Sequence, residues 1–140
     1  MLKLKIFLIG KTKESWLEQA LNEYIKRLKP VVSIDWVWAK HDAQLIELVK
    51  KEPHLICLDP QGRLLTSEQF STFISESWEK GGSRLSIAIG GAEGLPQEIK
   101  THSILLSLSP LTFTHQMTRL VLLEQIYRAI EIQKGTHYHK

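Results

Sequence analysis

The chain has 140 residues, a length that suits one domain with a core of its own. Its 43% hydrophobic and 24% charged content excludes intrinsic disorder, and a single cysteine, Cys57, excludes a disulfide scaffold. Eighteen Lys and Arg against fifteen Asp and Glu leave a net charge of +3 that permits a polyanionic partner such as nucleic acid without demanding one.

In chain order, "LKLKIFLI" reads as a strand that starts half exposed and ends buried. It is too short and too alternating to span a membrane and lacks a signal-peptide cleavage site, so the expected compartment is the cytoplasm. Leu17, Ala20, Leu21, Tyr24, Ile25 and Leu28 form one helical stripe that Pro30 ends. "VVSIDWVW" alternates as a strand with Val32, Ile34, Trp36 and Trp38 on one face, and Asp42 caps a short helix. "HLICLD" is a strand, and "DPQG" after it has the composition of a type I turn. Thr66 and Gln69 form a capping box for a helix with the stripe Phe70, Phe73, Ile74 and Trp78. "RLSIAI" and "SILLSLS" are two further strands, with a short helix opening near Pro96 between them. The last helix runs from His115 to Lys134 and stops at Gly135. No repeat or linker divides this series, so residues 1–140 read as one α/β domain with a mostly parallel sheet.

Ligands of such sheets bind beyond the carboxyl ends of the strands. Three loops fall there: "LDPQG", "GGAEG" and "LSPLTFTH". The glycine turn fits neither a dinucleotide fingerprint nor a P-loop, and Glu93 stands where a phosphate cradle wants a cation. It serves either as a tight connection or as a close backbone approach to a ligand without phosphates. "LSPLTFTH" mixes apolar and small hydroxyl residues, so it is either an ordinary connection or a source of free backbone groups beside apolar side chains, as an adenine ring needs. The last helix is apolar around most of its circumference, which requires burial on several sides or a second subunit. Glu124 and Arg128 lie four apart and can pair. The terminal "THYHK" is a frayed tail or a group that titrates, stacks and contacts phosphate. Its two histidines lack further ligands at metal spacing, no GxSxG occurs, and mid-strand Cys57 reads as a small core residue.

"LDPQG", "IAIGGAEGL", "LSLSPLTFTHQMTRLVLLEQIYRA" and the final "YHK" together resemble the ribosomal RNA large subunit methyltransferase H family of the SPOUT superfamily, over essentially the whole chain. The resemblance implies a C-terminal trefoil knot, a homodimer, and transfer of methyl from S-adenosylmethionine to N3 of a pseudouridine in 23S ribosomal RNA (the helix 69 loop) on the ribosome, with no metal. It implies cofactor contacts from Leu58, Gly90, Leu108, Ser109, Pro110, Leu111, Thr112 and Phe113. His139 is then the candidate proton acceptor and Tyr138 a platform for the target base, with Arg128 and its partner Glu124 beside them. Arg119, His115 and Lys140 are placed against RNA, and the tail is expected to act across the dimer. Thr114 stands where relatives often carry proline. The alternatives are a non-catalytic ribosome- or RNA-binding protein and a SPOUT enzyme with another RNA target.

Overall fold

A computed structural model describes residues 1–140. Its strands are β1 (Leu2–Ile9), β2 (Val32–Ala39), β3 (Leu55–Leu64), β4 (Arg84–Ile89) and β5 (Ile104–Ser107). Its helices are α1 (Ser15–Leu28), α2 (Asp42–Val49), α3 (Ser67–Lys80), α4 (Gln97–Lys100) and α5 (His115–Lys134). The strands form one sheet in the order β2-β1-β4-β3-β5, with every pair parallel. The α/β expectation is met, and the sheet carries helices on both faces, as parallel sheets require.

The two faces follow from strand alternation. Leu4, Ile6 and Leu8 of β1 turn to a large core shared with Leu17 and Leu21 of α1, Ile74 and Trp78 of α3, and Leu122 and Ile126 of α5. Phe7 turns the other way, to a smaller core with Ala39, Leu45 and Val49, Leu95 and Ile99. Lys3 and Lys5 share that second face, which is why β1 starts half exposed and ends buried.

Helix α5 lies between α1 and α3 on the sheet and buries Leu122, Leu123, Ile126, Ala129 and Ile130. The Ser71 hydroxyl on α3 donates to the Ala129 carbonyl at 2.8 Å, and Tyr24 on α1 meets Tyr127 with ring centroids 5.9 Å apart. Burial on several sides therefore arises within this one chain. The helix starts at the Thr114 cap, whose hydroxyl accepts from the Met117 N–H at 3.1 Å, and ends at Gly135 in the left-handed region (φ 73°). Thr114 thus supplies a cap that proline cannot.

Two local readings are corrected. The cap of α2 is His41, whose Nδ1 accepts from the Gln44 N–H at 3.2 Å, so Asp42 is already in the first turn. "DPQG" does not end its strand: β3 continues to Leu64, and Leu58 and Arg63 both register with Leu106, so the intervening residues bulge out of the ladder. Trp36 and Trp38 are only partly covered, Trp38 remaining 37% exposed, because β2 is an edge strand. The Thr66–Gln69 capping box forms as expected.

Because Ile126 is fully buried at the meeting of three helices and the sheet, Ile126→Ala should cost about 2–5 kcal/mol. A urea midpoint equal to that of the parent would contradict this packing.

Candidate active site

The register Cys57–Ala88 and Leu58–Leu106 sets the carboxyl ends of β4, β3 and β5 side by side. The glycine turn, the β3 bulge and the loop after β5 therefore meet at one edge of the sheet. Gly90 is required there by the chain itself: a Cβ would come within 2.6 Å of Leu95 N and 2.8 Å of Gly94 O. The turn closes through the Gly94 N–H to the Gly91 carbonyl at 3.0 Å, with Gly94 at φ 85°. Gly62 has a similar reason, since a Cβ would lie 2.5 Å from Leu106 N on β5. These glycines set the backbone that walls the site.

Asp59, a residue the sequence reading did not single out, is buried in the bulge. Its carboxylate pairs with Lys100 Nζ at 2.9 Å and accepts from the Gln61 N–H at 2.8 Å. Burial opposes its ionisation, but the Lys100 ammonium and the Gln61 N–H outweigh that and hold the carboxyl below its ordinary value. The pair ties β3 to α4, which follows the glycine turn.

After β5 the backbone of Leu108–Phe113 pairs with no other backbone group. Ser109 instead organises the loop: its hydroxyl accepts from the Leu111 N–H at 2.9 Å, and its carbonyl accepts from Ser107 Oγ at 3.1 Å. Leu111 is 74% exposed and Phe113 36%, so apolar side chains stand in solvent beside unpaired backbone donors and acceptors. Leu108 and Phe113 line a cleft with Phe70, Val121, Ser67 and Gln125. Neither the 108–113 loop nor the glycine turn offers a cation. Such a surface suits a nucleoside without phosphates.

The tail folds back on α5 and joins this cleft. Glu124 accepts from the Tyr138 hydroxyl and from Arg128 Nη2, each at 2.8 Å, and from Gln125 Nε2 at 2.9 Å. Gln125 in turn accepts from the Ser67 hydroxyl at 2.9 Å, so a chain of hydrogen bonds runs from Tyr138 to the cleft wall. Arg128 Nη1 lies 3.0 Å from His139 Nδ1, and His139 Nε2 lies 3.3 Å from Glu68. A guanidinium can only donate, so Nδ1 is the acceptor in the first contact, and the Glu68 carboxylate stands on the other side of the ring. Burial, then the Glu124 bond and one to Tyr24, keeps the Tyr138 phenol protonated far above neutrality.

The structure brings His139, Tyr138, Arg128 and Glu124 together, and gathers the cofactor candidates at the adjoining edge. It does not place Arg119 for RNA. Arg119 is 1% exposed, donating to the carbonyls of Ile9 (2.9 Å) and Gly10 (2.8 Å) and to Thr12 Oγ1 (3.1 Å), with its guanidinium over Trp38. No carboxylate balances it, and burial pushes its pKa down to about 10. The helical stripe hid this role, because the groups Arg119 holds lie over a hundred residues away in sequence. Gln116 completes the clasp, accepting from the Lys13 N–H at 3.2 Å and donating to the Lys11 carbonyl at 3.3 Å. His115 is half-buried, with its pKa lowered by burial and by Arg119 and Lys13, whereas Lys140 is exposed. No three His, Cys, Asp or Glu side chains come together as metal ligands.

Such a sheet edge and terminal helix belong to a recognised class. Residues 2–139 match the family described as "Predicted SPOUT methyltransferase", and the chain belongs to that family. It is 66% identical to the ribosomal RNA large subunit methyltransferase H of Protochlamydia amoebophila, over the full length of both chains. It is 44% identical to the protein of the same name from Prochlorococcus marinus, covering 99% of this chain and 96% of the relative. Among solved structures, TrmJ from Z. mobilis ZM4 shares the fold with a TM-score of 0.56 at 12% identity, over 89% of this chain and 69% of that one.

Asp59 titrates below its unfolded value, so its contribution is complete above the unfolded carboxylate range, about pH 4, and is lost as pH falls through the lower folded value. Asp59→Asn should therefore flatten the acid limb of the stability curve below about pH 4. An unchanged slope in thermal melts across that range would remove the Asp59–Lys100 pair as its cause.

Proposed function

We propose that the protein methylates N3 of a pseudouridine in large-subunit 23S ribosomal RNA, in the helix 69 loop, using S-adenosylmethionine, and that residues 1–140 act as one cytoplasmic domain within a homodimer. Membership of a methyltransferase family and the names of the relatives support the reaction class and the RNA. The observation that carries the site assignment is the hydrogen-bonded chain from Tyr138 through Glu124 and Gln125 to the cleft behind Phe113. The trefoil threading of α5 belongs to the same proposal.

The cofactor fits the residues present. Leu58, Gly90 and Leu108–Phe113 offer close backbone, free amide groups and apolar cover without any cation, which suits adenosine and methionine moieties. When bound, S-adenosylmethionine supplies an electrophilic methyl, leaving alignment and desolvation to the protein. Leu111 and Phe113 exclude water from the reacting face. The N3 imide must lose its proton, and His139 accepts it at Nδ1 once Arg128 moves to the RNA. Tyr138, a phenol throughout the working range, stacks on the target base and cannot act as the base itself. Lys140 and His115 meet backbone phosphates. No helix is long and apolar enough to cross a membrane.

Two measurements test this reading. Leu111→Arg should weaken S-adenosylmethionine binding at least about tenfold in calorimetry, since it places a cation in an apolar, cation-free wall. Gly90→Val is the poorer probe because it breaks the turn itself. In methyl transfer to ribosomes carrying the unmethylated pseudouridine, His139→Ala should lower kcat by about 10²–10⁴ with cofactor binding intact. Parent-like turnover in that variant and in a chain cut after Gly135 would refute the tail's role.

A further inference from the structure

A second, wider cleft opens at the opposite edge of the sheet, where the strands begin. Its floor consists of side chains from three adjacent strands in register. Ser33, Lys3 and Arg84 form the first row, and Asp35, Lys5 and Ser86 the second. These positions share a face with Phe7, but α2 packs on Phe7 and Ala39 and leaves the amino-terminal half of that face bare. The segment Lys51–His54, between α2 and β3, forms one wall.

The charges in this cleft do not cancel. Glu52 is committed to Lys5, at 3.7 Å, and to the Ser86 hydroxyl. Lys3 and Arg84 are paired residues on neighbouring strands, and neither has a carboxylate within 4.0 Å. Like charges directly opposite one another destabilise a sheet. The row is nevertheless firmly built: the Lys3 N–H donates to the Ser83 carbonyl at 2.8 Å, and the Trp78 indole donates to the Lys3 carbonyl at 2.9 Å. Lys51 adds a third exposed cation beside the pair.

We propose that this cleft is a phosphate site, with the anion between Lys3 and Arg84 and Lys51 beside it, and that the phosphate belongs to the backbone of the RNA substrate. The RNA assignment rests on the function proposed above; the anion site rests on the unbalanced cations alone. The floor is polar and offers no aromatic face for a base, so the site reads charge and not sequence. A β1 of eight residues separates it from the methyl-transfer edge by about 25 Å, so it extends the RNA footprint beyond the reacting nucleotide.

The test uses the full chain carrying Lys3→Gln and Arg84→Gln together, with binding to large-subunit ribosomal RNA followed as KCl is raised. The expected result is an affinity about tenfold or more lower near 0.1 M salt and a log–log salt slope shallower by up to about 2. Calorimetric S-adenosylmethionine binding should be unchanged, and the melting temperature unchanged or raised, because a repulsion is removed. Parent-like affinity and slope in the folded variant would overturn the proposal. Inorganic phosphate that raises the parent's melting temperature but not the variant's, with RNA binding equal in both, would replace the RNA backbone by free phosphate and overturn the assignment to RNA. Salt-sensitive RNA binding lost in the variant, from a parent that transfers no methyl group, would sink the proposed reaction and leave this site standing.

Discussion

The burial of α5 is the constraint on which the functional elements depend. Residues Leu122, Leu123, Ile126, Ala129 and Ile130 fix that helix between α1, α3 and the sheet, so everything attached to it is fixed as well. At its start, Thr114 caps the helix directly after the exposed apolar loop. Its first turns hold the β1–α1 connection through Gln116 and Arg119. Midway, Glu124 and Arg128 receive the tail. At the end, Gly135 reverses the chain, Thr136 bonds back to Glu131 at 2.7 Å, and Tyr138 returns edge-on against Tyr127. One buried helix therefore registers the loop after β5, the connection after β1 and the tail against one another.

Arg119 shows what that registration demands. A guanidinium without a counter-ion, with its Nε unpaired, is an expensive thing to bury, and its place near the start of α5 sets it against the positive end of the helix dipole. Two carbonyls, one hydroxyl and the face of Trp38 offset that cost. None of these groups lies on α5. If the Gly10–Lys13 connection moved away, the buried cation would keep only the Ile9 carbonyl and the Trp38 face. The loop and the helix start are thereby coupled, and the loop that carries Lys11 and Lys13 stays beside the mouth of the site.

Much of this was legible in the sequence because it is local. The stripe of α1, the Thr66–Gln69 box and the Gly135 stop depend on neighbours within one or two turns, and each forms as its residues predict. The three-loop site was legible for a topological reason, since parallel strands present their carboxyl ends together. What stayed hidden depends on long-range approach. Gly62 looked like the fourth residue of a turn, yet its lack of a side chain answers to β5 passing beside it, and the same contact turns the supposed turn into a bulge. Trp36 and Trp38 alternate as a buried strand would, but alternation cannot tell an edge strand from a central one. Arg119 looked like a free cation on a helix because its partners are remote in sequence.

The tail places the proton chemistry under the same logic. Tyr138 donates to Glu124 and stays a phenol, and Glu124 is taken up by Tyr138, Gln125 and Arg128, so the proposed reaction assigns the proton to His139. Its Nδ1 faces Arg128, itself held by Glu124 at 2.8 Å, so in the proposed reaction the base stays masked until RNA binds. An RNA phosphate that draws Arg128 away uncovers Nδ1. The imidazolium formed after proton transfer is then balanced by Glu68, already 3.3 Å from Nε2. In the proposed reaction, substrate charge rather than a change of pH exposes the base. In that reaction the same anion that positions the RNA prepares the proton acceptor.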